Sequence, residues 1–176
     1  GSLPEIPEPI SEHSPSEVAL AVDVGTTTVA VAAWSLSSRK ILSVVAEKDA
    51  QSKYGSDVIN RIDFAMKLPS GGKILHDCLM KQLEKMFASA LSLSSQKIPR
   101  GFRPHVKKIV LTGNSTMLSF AAGVSVEGLA AVPFTLASKF DFSVAWKELS
   151  PSNVSVIPSD AEVYFPPVVG AFIGAD

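Results

Sequence analysis

The sequence predicts an α/β fold, a mixed sheet with helices packed on it, on three observations. Three strand-length apolar segments follow one another closely between Val18 and Glu47. One long stretch, Ile74 to Leu93, carries apolar residues at helical spacing. A strand, a glycine turn and a helix then recur between Val106 and Ala122. Strands in a run, followed by helices alternating with strands, make a sheet covered by helices.

The first strand is expected at about Val18 to Val24. There Val18, Leu20, Val22 and Val24 alternate with Ala19, Ala21 and Asp23, so the carboxylate emerges at the strand's end on the face opposite the large aliphatics. Gly25 has no Cβ and lets main chain approach an anion, while Thr26, Thr27 and Thr28 supply amides and hydroxyls without bulk. A hairpin that holds nucleotide phosphates has this composition. So does a plain glycine turn between buried strands, with threonines chosen for β propensity. No glycine-rich loop ending in Gly-Lys-Ser or Gly-Lys-Thr follows, so this is not a P-loop.

Strands at about Thr28 to Leu36 and Lys40 to Glu47, joined by Ser37-Ser38-Arg39, complete an antiparallel meander. Asp49 to Ser56 breaks the pattern, and Ser56 or Asp57 caps a short helix to about Lys67, ended by Pro69-Ser70-Gly71-Gly72. In the long helix from Ile74, Leu79, Leu83, Met86 and Phe87 lie on the apolar side, with Cys78 as a small buried hydrophobe among them, and Lys81, Gln82, Glu84 and Lys85 on the other. Val106 to Thr112 is a strand, Gly113-Asn114 a tight turn, and Ser115 the cap of a helix to about Ala122. Ser125 to Ser152 is poorly periodic, with short helical pieces at Val126 to Ala130 and Ser143 to Leu149. Short strands are expected at Val154 to Ile157 and Val163 to Phe165, before a small-residue stretch to Asp176.

Length and composition exclude several classes. A chain of 176 residues that is 46% hydrophobic has enough material for one packed core. Sixteen basic against 17 acidic residues leave a net charge of -1, with no basic stripe to follow a nucleic-acid backbone. One cysteine cannot form an internal disulfide or hold an iron-sulfur cluster, which fits a reducing cytoplasm. No apolar run reaches the ~20 residues of a membrane span, and no signal peptide is evident. The three histidines, His13, His76 and His105, have no metal-ligand spacing. Residues 1–16 read as a tag scar, Gly1-Ser2, followed by a linker with four prolines.

The Asp23 to Thr28 segment resembles the first phosphate motif of the acetate kinase, sugar kinase, Hsp70 and actin superfamily. Further stretches narrow the match: Gln51 with Tyr54-Gly55-Ser56-Asp57-Val58-Ile59-Asn60-Arg61-Ile62, then Leu111-Thr112-Gly113-Asn114-Ser115-Thr116-Met117, Val132-Pro133-Phe134, and Val169-Gly170-Ala171-Phe172-Ile173-Gly174-Ala175-Asp176. In order, over about residues 18–176, they look like the C-terminal ATPase domain of reductive activators of corrinoid proteins, including O-demethylase activating enzymes. The resemblance implies an RNase H-like, actin-like half-domain over residues 17–176, with the second subdomain, its Asp-Gly-Thr motif and the adenosine site absent from this chain. It implies that Asp23 holds Mg²⁺ through water and that Gly25, Thr26, Thr27 and Thr28 bind ATP phosphates. Gly113, Asn114, Ser115 and Thr116 form a candidate cleft turn, although a helix cap accounts for them equally. The family pattern often has a histidine soon after the methionine, whereas this chain reads Met117-Leu118-Ser119. Ser56-Asp57 with Arg61 resembles a family insertion, while capping and an i,i+4 ion pair between Asp57 and Arg61 explain the same residue types.

By this resemblance the parent protein uses ATP to return an inactive Co(II) corrinoid protein to Co(I), with a [2Fe-2S] cluster in a parent domain not present here. The partners would be the corrinoid protein and the remaining domains of the parent, and this piece alone would turn over little ATP. A docking module without ATP turnover is the alternative from another class. A fragment of a small-molecule kinase is a third reading, opposed by the Gln51 to Ile62 and Gly113 to Met117 stretches.

Overall fold

A computed structural model describes residues 13–168. The expected linker lies outside these residues except for its last four, and the Val169 to Asp176 stretch lies outside them entirely. The elements in chain order are β1 (Glu17–Val24), β2 (Thr28–Ser35), β3 (Ile41–Lys48), α1 (Val58–Lys67), α2 (Gly71–Ser95), β4 (His105–Gly113), α3 (Ser115–Ala122), β5 (Phe142–Ala145), α4 (Trp146–Leu149) and β6 (Glu162–Phe165). Short 3₁₀ turns occupy Ala50–Lys53 and Glu127–Leu129.

The strands form one mixed sheet in the order β3-β2-β1-β4-β6-β5. β1 to β3 are the antiparallel meander expected from their alternation, and β4 lies parallel to β1, with Val24 opposite Gly113. β6 adds parallel to β4, and β5 returns antiparallel on its outer side. The crossover from β3 to β4 is the α1–α2 pair, long enough for the chain to re-enter the sheet in parallel.

The core follows from the strand period of two. Val18, Leu20, Val22 and Val24 of β1 share a buried face with Val29, Val31 and Ala33 of β2 and with Ile109 and Leu111 of β4. Helix α2 covers this face through Leu75, Leu79, Leu83, Met86, Phe87 and Ala90, all fully buried. Two polar joints fix its position. Ser43 Oγ of β3 donates to Ala90 O (2.8 Å), and Gln82 accepts from the Ala50 amide (2.9 Å) while donating to Lys48 O (2.8 Å). On the other face of the sheet Ala21, Asp23, Trp34 and Val44 are exposed among the described residues.

Several expectations need correction. The cap of α3 is Asn114, whose Oδ1 accepts from the Met117 amide (2.9 Å), not Ser115, which is buried as the first helical residue. The helical piece expected over Ser143 to Leu149 splits: Phe142–Ala145 is a strand because it finds β6 as a pairing partner, and only Trp146–Leu149 is helical. No strand forms at Val154 to Ile157. Ser152 and Ser155 hydroxyls accept from the Val154 and Ile157 amides (3.1 and 3.0 Å), which removes those donors from any ladder. Helix α2 begins three residues before Ile74, at Gly71. Cys78 is only half-buried, and burial pushes its thiol pKa up.

Candidate functional site

Strands β1 and β4 run parallel, so their C-terminal ends share one edge of the sheet, and the chain turns at a glycine after each. At the first turn the Gly25 amide donates to Thr28 O (3.0 Å), closing the β1–β2 hairpin. A Cβ on Gly25 would stand 2.5 Å from that same carbonyl, so the turn accepts no larger residue without opening. At the second, Gly113 has φ +151°, and a Cβ there would stand 2.6 Å from Val24 O. Gly25 thus lets its own hairpin close, and Gly113 lets the main chain of β4 meet that of β1. Thr112 Oγ1 adds a bond to Val22 O (3.0 Å) just below.

The residues expected to act together are brought together in part. Asn114 Nδ2 donates to Thr26 Oγ1 (3.2 Å), tying the α3 cap directly to the hairpin. Thr27 and Thr28 are exposed. Asp23 is exposed at the strand end, with the small residues Ala30 and Thr112 beside it on the neighbouring strands. Ser115 and Thr116 are fully buried, and Thr116 Oγ1 has no hydrogen-bond partner among the described residues. In the Gly113 to Thr116 turn, the Asn114 side chain reaches the hairpin. Its replacement should show as stability. Asn114→Ala removes the cap and is expected to cost about 1 kcal/mol in denaturant unfolding, and a loss indistinguishable from zero would show that the Met117 amide finds another acceptor.

Sequence reasoning singled out Arg61 but with Asp57 as its partner, and it missed Asp49, which with Arg61 holds this edge from beneath. Arg61 does not pair with Asp57, which instead caps α1 through the Asn60 amide (2.9 Å). Arg61 lies on the inner face of α1 beside Ile62 and is fully buried. Its Nη1 donates to Asp49 Oδ2 (2.6 Å), its Nε to Gly55 O (2.9 Å) and its Nη2 to the Thr26 carbonyl of the hairpin (2.7 Å). Asp49 is equally buried, accepts from the Gln51 amide (2.8 Å), and donates its own amide to Thr27 O (2.8 Å). Burial pushes the Asp49 carboxyl pKa up, opposed by the Gln51 amide and the Arg61 guanidinium. The usable signal was spacing: Arg61 stands three residues after Val58 and four before Ala65, within the stripe that Val58, Ile62 and Ala65 turn to the core.

Elsewhere, a groove of about 470 Å³ between the end of β3 and α2 has Lys48, Lys53, Lys81 and Lys85 as well as Glu47 and Asp77 in its lining, and it does not include the hairpin residues. No described helix is long and apolar enough to cross a membrane.

Comparisons with known proteins agree with this architecture. The corrinoid activation enzyme RamQ of Eubacterium limosum is 26% identical over 168 residues, which is 96% of this chain and 27% of that protein. A solved structure described as a reductive activator for corrinoid, iron-sulfur protein superposes with a TM-score of 0.79 at 24% identity, over 93% of this chain and 24% of its own, and so shares the fold. The chain spans about a quarter of the length of both. The family model described as the RACo middle region matches residues 18–176, from the first buried valine of β1 onward, and the chain belongs to that family.

Proposed function

We propose that this domain is the phosphate-binding half of an ATP-dependent activator that returns an inactive Co(II) corrinoid protein to Co(I). One observation carries the reading: the two glycine turns lie on a single edge of the sheet and are hydrogen-bonded to each other through Asn114 and Thr26. The named functions of RamQ and of the structural relative supply the corrinoid part of the proposal.

The donors present suit a polyphosphate. Thr27 and Thr28 are exposed and carry hydroxyls in a loop without bulky side chains. Asp23 would hold Mg²⁺ through water. Among the described residues no three His, Cys, Asp or Glu side chains converge, so the ion would rest on one carboxylate, water and the phosphates themselves, as Mg²⁺ commonly does. In this reading ATP with Mg²⁺ supplies the driving force, and one electron reaches cobalt from an iron-sulfur centre elsewhere in the parent protein. This chain's own part is to bind and orient the phosphates, and to pass the difference between nucleotide states to the remaining domains.

The test uses the full-length parent and a Co(II) corrinoid protein, with Co(I) formation followed by its absorbance. ATP-dependent appearance of Co(I), with saturable ATP binding by titration calorimetry, is expected. Equal rates with and without ATP, or no ATP binding, would refute the proposal.

A further inference from the structure

The tip of the β1–β2 hairpin, Gly25, Thr26 and Thr27, has no apolar side chain to anchor it. It is held from below by the Arg61 side chain and the Asp49 main chain. Thr26 O accepts from Arg61 Nη2 (2.7 Å) and Thr27 O from the Asp49 amide (2.8 Å), so two successive carbonyls point into the protein. In a planar trans peptide the carbonyl and the following N–H point in opposite directions. The inward Thr26 carbonyl therefore aims the Thr27 amide outward, and Thr27 is exposed, whereas Thr28 faces β1, its carbonyl accepting from the Gly25 amide (3.0 Å).

We infer that Arg61 is a positioning residue for anion binding: by holding the Thr26 carbonyl inward, it presents the Thr27 amide to a phosphate. Its guanidinium cannot meet the phosphate itself, being fully buried and engaged at all three nitrogens. The other bonds explain why arginine is required. Nη1 also approaches Gln51 Oε1 (3.4 Å) and Met117 Sδ (3.3 Å), so one rigid fork joins the hairpin, the Asp49 to Gly55 segment and the first turn of α3. Lysine carries the charge as a single point and cannot span acceptors this far apart. A group that served only to fasten α1 would be satisfied by Asp49 and Gly55 O. The bond to Thr26 O reaches beyond that, to the loop carrying the outward Thr27 amide.

The inference rests on the phosphate reading, and the experiment separates the two. ATP and adenosine binding are measured by calorimetry on the full-length parent, for the wild type, Arg61→Lys and the surface control Lys67→Ala. Arg61→Lys is expected to weaken ATP at least tenfold and leave adenosine affinity within twofold, with unchanged circular dichroism. A purely structural role would weaken both ligands together or neither, and either result overturns the inference. Absence of ATP binding by the wild type overturns the phosphate reading as well. If Arg61→Lys fails to fold, hydrogen exchange on the wild type decides. The peptide spanning residues 25–28 should exchange at least tenfold more slowly with a non-hydrolysable ATP analogue, and unchanged exchange refutes the outward-amide geometry.

Discussion

Asp23→Ala in the full-length parent is expected to lower ATP-dependent Co(I) formation by about 10²–10³-fold, the usual cost of removing one group that stabilises charge in a phosphoryl-transfer or comparable transition state. The fold should survive. Asp23 is exposed at the end of β1, and the β1–β2 and β1–β4 ladders around it are made by main chain. Val22 and Val24, the buried residues on either side, are untouched. The informative measurement is therefore activity at matched circular dichroism and matched melting temperature, with the Mg²⁺ concentration varied. Loss of activity that added Mg²⁺ partly restores would point to weakened ion binding. Retained activity with an unchanged spectrum would show that the carboxylate is only a strand-end residue and would remove the proposed ion site.

Phe87→Ala should have the largest effect on stability, a loss of roughly 3–5 kcal/mol in urea unfolding of this chain. Phe87 is fully buried on α2, and its ring meets Trp146 edge to face at 5.4 Å between centroids. The effect should exceed that of the removed ring alone, because Trp146 is itself pinned by bonds from Nε1 to Glu84 Oε1 (3.1 Å) and Ser155 Oγ (2.9 Å) and is not free to collapse into the space. A cavity whose walls cannot close is the costly kind. Ile59→Ala, at a position 63% exposed on α1, is the control and should stay within about 0.5 kcal/mol. A Phe87→Ala loss under about 1 kcal/mol would mean that α4 and its neighbours repack freely, contrary to the bonding around Trp146.

The groups that set the hairpin differ from those that would touch a ligand. Thr27, Thr28 and Asp23 face solvent, whereas Arg61 and Asp49 lie fully buried beneath them. A buried ion pair is a poor source of net stability, because desolvation of both charges offsets their attraction. Here the Arg61 side chain of the pair also fixes the direction of the Thr26 carbonyl, which an apolar replacement of equal volume would leave undirected.

Local pattern alone determined a good part of this molecule. The alternation in β1 and β2 settled which residues are buried and that Asp23 faces away from them, because the strand period of two acts over a few residues without reference to the rest of the chain. The helical stripe of α2 and the strand, glycine, helix order at Val106 to Ala122 were legible for the same reason. What the tertiary structure decided involves partners far apart in the chain. Phe142–Ala145 became a strand only because β6 was there to pair with it. Arg61 found the hairpin 35 residues before it and α3 56 residues after it, while the near partner suggested by i,i+4 spacing, Asp57, was taken up by the helix cap. Asn114 and Thr26 are 88 residues apart. An arginine on a short helix makes a surface pair or a buried clamp according to which neighbours the sheet brings near it, and no local period records that choice.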